Sequence, residues 1–345
     1  MKEQYEVTIG IPVYKSVDYI NDSMCSALNQ TFHDIEFLIV DDCGNDGTMD
    51  IIFNLKSNHP RGNNIRILSN TVNKGVSYSR NRIIDEARGR YLYFMDSDDV
   101  IEPNTIQLLY DSIAQHQSDV AYASYEIIDY VKHGPVELYQ KASLILSRND
   151  ELAEYVFKHS NVFHVSVCNC LMNLAFLRQT GVRFIDTQFW EDMAFTYELV
   201  PKVNSAVLLP NITYHYQRRP NSLSHYQERK CLQKTEILKN ISTIDYLKNN
   251  CIELIEKDYL PYLCYNLVIN SFYMACHILK NNHHIIPTFS YKELRSVIWH
   301  PFHLRIILRF KHKLLPNLVL YILGRLPVLF FIPSIWLMGK LKKVL

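Results

Sequence analysis

From Val7 to Ile127 short β-rich apolar runs alternate with segments of helical periodicity, and this alternation restricts the fold more than any other feature of the sequence. The run VTIGIPV at Val7–Val13 reads as a strand, and Ser16 opens a helical pattern through Val17, Ile20, Met24 and Leu28. A strand EFLIV reaching Asp41 follows, then a helix from Thr48 to Leu55 and a strand NIRILS. A helix from Val76 to Ala87 and a strand RYLYFM reaching Asp96 complete the alternation. Strands separated in this way by helices build a parallel sheet with helices on its faces. Pro103, whose missing N–H costs nothing in a first helical turn, opens a further helix, and the strand DVAYASYEI comes next.

Between Asp129 and Phe184 the periodicity weakens to helical stretches at Asp150–Phe157 and Ala175–Thr180 whose order is not assigned. From Trp190, WEDMAFTYELV reads as a helix with Glu191 and Asp192 in its first turn, followed by strands SAVLLP and ITYHYQ. The α/β region closes near His225, and long helical patterns run from Gln227 to Asn249 and from Ile252 to Lys280. A chain of 345 residues exceeds what one core usually organises. The sequence therefore divides into an α/β catalytic part over 1–225, a helical appendage over 226–300 and a tail over 301–345. With 48% hydrophobic and 21% charged residues the chain is of globular class, neither fibrous nor disordered. Glu3 and Glu6 break the apolar stretch that a secretory leader needs, so the expected location is the cytoplasm. The eight cysteines include no CxxC pair, and Cys168 with Cys170 are too few ligands for a closed zinc site.

Charge is unevenly spread. Residues 301–345 contain Arg305, Arg309, Lys311, Lys313, Arg325, Lys340, Lys342 and Lys343 with no Asp or Glu, whereas residues 1–300 carry 28 basic against 35 acidic side chains. Leu314–Met338 is nearly all apolar but is interrupted by Pro316, Gly324, Arg325, Pro327 and Pro333. Its longest piece, Leu326–Met338, has 13 residues, against the ~20 needed to span a bilayer. Short helices lying in the headgroup plane, with the cations on anionic lipid, fit this pattern. The alternative is a basic amphipathic segment packed on the appendage or on another subunit.

In open parallel sheets ligands bind beyond the carboxyl ends of the strands. Here those positions are acidic: Asp41 and Asp42 after the second strand, then Asp96, Asp98 and Asp99 in YFMDSDD. Like charges gathered at one edge repel, and a divalent cation with a taste for hard oxygen relieves them. Such an ion, Mn2+ or Mg2+, completes its shell with water and substrate phosphates, which points to a nucleotide diphosphate. The alternative role is helix capping, for Asp99 ahead of Asp96 and Asp98, since the next helix opens only at Pro103. The loop after the first strand reads PVYKS, without the glycines of a GxGxxG turn, which argues against hydride chemistry on NAD. It also lacks the glycine-rich loop expected of a nucleotidyltransferase.

Five motifs occur in order: IGIPVYK at Ile9–Lys15, VDDCGNDGT at Val40–Thr48, NKGVSYSRN at Asn73–Asn81, YFMDSDD at Tyr93–Asp99 and the pair Glu191–Asp192. Together they resemble the family 2 inverting glycosyltransferases, of the type that assembles bacterial polysaccharides. The resemblance, over residues 5–225, implies a GT-A fold, an α/β architecture with a mixed sheet flanked by helices. By the same resemblance Pro12, Val13 and Tyr14 line the nucleobase pocket and Asp41 recognises the base. It gives Arg80 to the diphosphate or donor sugar, Asp96 to the ribose or donor sugar, and Asp98 to the cation. Asp192 is implied as the general base that deprotonates an acceptor hydroxyl in a single displacement. Glu191 and Asp99 adjoin these roles, and within YHYQRRPNSLS at Tyr214–Ser224 either His215 or Arg218 is a candidate for the diphosphate. CNCLMN at Cys168–Asn173 departs from the aromatic and lysine pattern common in relatives.

The expected partners are a nucleotide-sugar donor, with UDP as the expected nucleotide, a glycan or lipid-linked glycan acceptor, and an anionic membrane surface met by 301–345 from the cytoplasmic side. Nucleic acid is not among them. The competing readings are a nucleotidyltransferase and a catalytically inactive nucleotide-sugar-binding scaffold at the membrane.

Overall fold

The computed structural model describes residues 5–129, 134–159, 166–187, 189–219 and 231–345. It begins with β1 (Tyr5–Val13), α1 (Ile20–Leu28), β2 (Ile35–Asp41), α2 (Thr48–Asn58), β3 (Ile65–Ser69), α3 (Val76–Glu86) and β4 (Gly89–Phe94). Next come β5 (Val100–Ile101), α4 (Thr105–His116), β6 (Val120–Asp129), β7 (Gly134–Tyr139), β8 (Leu144–Leu146) and α5 (Glu151–Lys158). The α/β part closes with β9 (Cys170–Asn173), α6 (Leu174–Thr180), α7 (Glu191–Leu199) and β10 (Ala206–Arg218).

The main sheet runs β3-β2-β1-β4-β9-β6-β10-β5, with β7 on β6 and β8 on β10. The four strands at one side are parallel, as the alternation predicts. Beyond them the sheet is mixed. β9 enters antiparallel between β4 and β6, β10 lies parallel to β6, and β5 lies antiparallel to β10. The first strands are central and covered on both faces, which is why they read as continuous apolar runs. Ile9, Ile11, Phe37, Leu38, Ile39, Leu92 and Phe94 are fully buried. Each such side chain contributes ~1.5–3 kcal/mol. α1 lays Ile20, Met24, Ala27 and Leu28, one helical stripe, into this core. At Gly10 a Cβ would lie 2.3 Å from Ile83 Cγ2, so α3 sits against β1 only because the strand has no side chain there.

Several expected boundaries move: the helix opened by Ser16 starts at Ile20, and the one expected over Thr48–Leu55 runs on to Asn58. The helix expected at Pro103 starts at Thr105, with Pro103 and Asn104 forming the turn before it. The two strands expected at SAVLLP and ITYHYQ are the single strand β10, whose register on β6 shifts between Leu208 and Tyr214 around Pro210, a residue with no ladder donor. The helix expected from Ile252 starts at Leu260, with Pro261 in its first turn. The boundary expected near His225 and the helix start at Gln227 lie outside the described residues.

The chain forms two compact units, one of residues 1–153, 161–186 and 191–220, the other of 154–160, 187–190 and 221–345. The second unit contains β11 (Leu232–Gln233), α8 (Lys234–Asn250), α9 (Leu260–Asn281), β12 (Ile285–Ile286), α10 (Tyr291–Ser296), α11 (Leu304–Ile307), α12 (Leu314–Leu323) and α13 (Val328–Leu341). Its core joins Ile237 of α8 and Val268, Phe272, Ala275 and Ile278 of α9 with Leu320, Leu323, Phe331 and Ile335. The tail thus packs in the same unit as the helices over 226–300. Its other side leaves Leu315, Leu329, Phe330, Trp336, Leu337 and Leu341 exposed, with Arg325 3.6 Å from the Tyr321 ring and Lys340 3.9 Å from the Trp336 ring. Among the described residues no helix is long and apolar enough to cross a membrane. All eight cysteines are free.

Candidate active site

The site lies beyond the carboxyl ends of β1, β2 and β4. Arg80 projects from α3 and is 3% exposed. Its Nη1 donates to Asp192 Oδ1 at 2.6 Å and to Glu191 Oε1 at 3.0 Å, while Nη2 donates to Asp96 Oδ1 at 2.9 Å. Nε, also buried, has no hydrogen-bond partner among the described residues. Burial opposes the guanidinium's charge, yet Asp192, Asp96 and Glu191 outweigh it and raise the group well above its ordinary range. One planar cation therefore holds three carboxylates from two separate segments of the chain, a geometry that a lysine's single ammonium cannot reproduce.

Three carboxylates on one guanidinium leave an excess of negative charge. Burial pushes the Asp192 carboxyl up, Arg80 and a backbone N–H from Val167 pull it down, and Glu191 and Asp96 push it up again, with the result at about 7. A carboxyl tuned near neutrality suits a general base. Asp98 is ion-paired with Arg219, whose guanidinium lies 4.0 Å from the Tyr19 ring. Asp99 is fully buried, accepts from the Tyr214 hydroxyl at 2.6 Å and from the Gln217 N–H at 2.8 Å, and is raised well above the ordinary carboxyl range by that burial. Asp96, Asp98 and Asp99 each offer an oxygen within 4.8 Å of the others, hard donors at a spacing that suits a divalent cation. Tyr214 and Gln217 already occupy both oxygens of Asp99, so Asp96 and Asp98 fit such an ion best.

The edge is less crowded than the sequence implies. Asp42 is buried and accepts from the N–H groups of Lys74 and Gly75 at 2.9 and 2.8 Å and from Asn70 Nδ2 at 2.7 Å. Those three donors make it the anchor of the NKG turn ahead of α3, and its charge needs no cation. Asp41 accepts from the Cys43 N–H at 3.0 Å. Pro12 and Val13 are buried in β1 opposite Val40 and Asp41, and Tyr14 is the exposed residue of that trio. His215 is held between Glu126, at 2.9 Å, and Glu102, at 2.7 Å, and Arg218 pairs with Glu137 at 2.9 Å. The structure does not bring either of them to the carboxylates around Arg80.

Arg219, Tyr214 and Asn169 were not singled out from the sequence. Asn169 is buried and left-handed, with φ 59°, and binds the Ser124 carbonyl, Thr213 Oγ1 and the Tyr93 hydroxyl, tying β6, β10 and β4 together beneath the acids. The available signal for Arg219 was the pair of adjacent arginines. Neighbours at a strand end face opposite ways, and only the register decides which one turns to the site.

The family described as "Glycosyl transferase family 2" matches residues 8–181, half of the chain, and covers Arg80, Asp96, Asp98 and Asp99. The chain belongs to this family. This family 2 glycosyltransferase is 24% identical over 244 residues to the Bacillus subtilis (strain 168) protein named "Putative teichuronic acid biosynthesis glycosyltransferase TuaG", an alignment covering 70% of the chain and 90% of TuaG. Its fold is shared with S. aureus TarS 1–349 in complex with UDP-GlcNAc, at a TM-score of 0.67 and 18% identity over 94% of this chain and 90% of that one. The mannosyltransferase PcManGT from Pyrobaculum calidifontis, in complex with GDP-Man and Mn2+, shares it at a TM-score of 0.54 and 15% identity over 81% and 76%. The expected GT-A architecture is thereby established, and the protein is a glycosyltransferase.

Proposed function

We propose that this enzyme transfers a sugar from a nucleotide-diphosphate donor, UDP-linked, to a hydroxyl of a polysaccharide precursor by single displacement with inversion. The observation that carries this reading is the convergence of Asp96, Glu191 and Asp192 on buried Arg80, beside Asp98, in a family 2 chain. The donor's base and ribose lie along the ends of β1 and β2, with Tyr14 against the base, Asp41 on its polar edge and Asp96 on the ribose or sugar. Asp98, with Asp96, would hold a divalent cation, Mn2+ or Mg2+. That ion supplies charge neutralisation for the departing diphosphate. Asp98 would exchange Arg219 for the ion, and the released guanidinium, a planar fork, would suit the donor phosphates.

Asp192 accepts the proton of the acceptor hydroxyl as that oxygen attacks the anomeric carbon. The C–O bond to the diphosphate breaks as the new glycosidic bond forms, with no covalent intermediate. Arg80, expected from the resemblance to contact the diphosphate or donor sugar, is buried with both Nη atoms on carboxylates and acts through them instead: it orients Asp192 and keeps it from rising so far that it stays protonated at neutral pH. TarS bound to UDP-GlcNAc and PcManGT bound to GDP-Man and Mn2+ support the donor and cation classes, and TuaG's teichuronic acid assignment supports a polymer precursor as acceptor.

The same reading puts the tail on an anionic membrane. The exposed apolar side of α12 and α13, flanked by eight cations and no acids over 301–345, fits headgroup-plane insertion with the long side chains reaching the lipid phosphates. Sedimentation with phosphatidylglycerol vesicles, absent with phosphatidylcholine and lost in a Leu329→Glu/Phe330→Glu variant, tests this part. For the enzymatic part, purified protein with Mn2+ should release UDP from at least one UDP-sugar, and Asp98→Ala should abolish it. UDP binding without turnover on a broad donor and acceptor panel would return the chain to the inactive-scaffold reading.

A further inference from the structure

The second compact unit contains a cavity of about 490 Å³ that no step above uses. Its main wall is one stripe of α9. Asn270, Tyr273, His277, Lys280 and Asn281 recur at helical spacing over roughly 16 Å of that helix, and Trp190 faces them. The lining combines two aromatic rings, two amides, an imidazole and an ammonium with the apolar Met274 and Val344, and among the described residues no Asp or Glu contributes to it. Among the described residues Lys280 has no acidic partner, and Tyr273 is 39% exposed although its neighbours Phe272 and Met274 are buried. Asn281 Nδ2 is engaged by the His277 carbonyl and ring at 3.1 Å, so the features that suit an anionic sugar chain are the flat rings, for the C–H faces of a pyranose, and the Lys280 ammonium, for its charge.

Trp190 gives the cavity a link to the chemistry. It holds φ 66°, a left-handed backbone that a bulky side chain rarely adopts and that persists only where its surroundings impose it. Those surroundings are explicit: Phe189 is buried in the helical core, and Thr187 Oγ1 donates to the Phe189 carbonyl at 3.0 Å and bonds Thr243 Oγ1 at 2.8 Å. The residues that follow Trp190 in the chain are Glu191 and Asp192.

We propose that this cavity is an acceptor subsite, which binds an anionic segment of the acceptor glycan other than the sugar carrying the reacting hydroxyl. A ring stacks on Tyr273 and Trp190, and a carboxylate or phosphate of the chain pairs with Lys280. The proposal rests on the glycosyltransferase reading above and adds the charge of the acceptor to it. Full-length protein is titrated with a hyaluronan tetrasaccharide, a phosphodiester-linked N-acetylglucosamine tetramer and neutral chitotetraose, and separately with UDP and Mn2+. The first two probes separate a carboxylate from a phosphate ligand.

At least one anionic probe should bind about tenfold more tightly than chitotetraose, as expected for a charge-assisted contact. Lys280→Ala should remove that preference, and Tyr273→Ala should weaken all binding while Tyr273→Phe, which keeps the ring, retains it. UDP affinity should be the same in all of them. The proposal is overturned if chitotetraose binds as well as both anionic probes, if Tyr273→Ala and Lys280→Ala bind like the parent, or if none of the three binds a protein that still binds UDP. Loss of UDP binding by the parent protein instead refutes the donor reading, which the saccharide titrations do not touch.

Discussion

Arg80 Nη1 lies 2.6 Å from Asp192 Oδ1, and this bond joins α3 to the first turn of α7 across 112 positions of sequence. The pair unites a structural requirement with a chemical one. The buried guanidinium is stable only with carboxylates around it, and the carboxylate keeps a basicity near neutrality only because that cation offsets its burial and its acidic neighbours.

Replacing Arg80 should therefore be costly in two ways. Arg80→Ala leaves Asp96, Glu191 and Asp192 without their shared cation and should destabilise the protein by ~3–5 kcal/mol. Arg80→Lys should fold but turn over at least about tenfold more slowly, because a point charge cannot bridge both segments. Thermal melts and UDP-release rates check both.

The pH dependence has a definite sign. On the mechanism proposed above Asp192 accepts a proton only when ionised, and with its carboxyl at about 7, kcat/KM should rise with pH through that value and level off above it. The folded state binds this proton more tightly than the unfolded chain, whose carboxyl keeps the ordinary value of 3.8, so the group's contribution to stability is fully present below 3.8 and lost as pH rises through about 7. Activity and this part of the stability should move in opposite directions. In Arg80→Lys the rising limb should shift to higher pH, which rate measurements from about pH 5 to about pH 9 would detect.

On the same mechanism Arg219 and a cation would compete for Asp98. Arg219→Ala should bind Mn2+ alone more tightly than the parent, by about tenfold if the pair resembles other charge-assisted contacts, and should bind UDP more weakly. Titration of each ligand separately distinguishes this from a general loss of structure.

Asp42 provides the contrast. Asp42→Ala removes the acceptor for Lys74, Gly75 and Asn70 and should cost ~1–3 kcal/mol of stability while leaving Mn2+ affinity unchanged. A lost Mn2+ response in a folded Asp42→Ala protein would restore it to the cation site.

Much of this arrangement could be read in advance, and the exceptions have physical causes. β1 to β4 were legible because buried parallel strands are apolar throughout and the acids after them stand out against that background. β9 was not, since four residues between the left-handed Asn169 and α6 carry no period. β7 was hidden by its exposure: its central residues face solvent and lack the alternation of a half-buried strand. The role of Asp42 depends on a turn some 30 positions later, and the choice between Arg218 and Arg219 depends on a strand whose register slips at Pro210. Contacts of long sequence separation decide these cases, and local pattern does not encode them.

The most direct test compares three proteins in a calorimeter and a transfer assay. The parent and Asp192→Asn should both bind UDP with Mn2+, Asp192→Asn should lose transfer by at least about a hundredfold, and Asp98→Ala should lose the binding as well. A parent protein that gives no heat with Mn2+ or with any nucleoside diphosphate would contradict the account at its root.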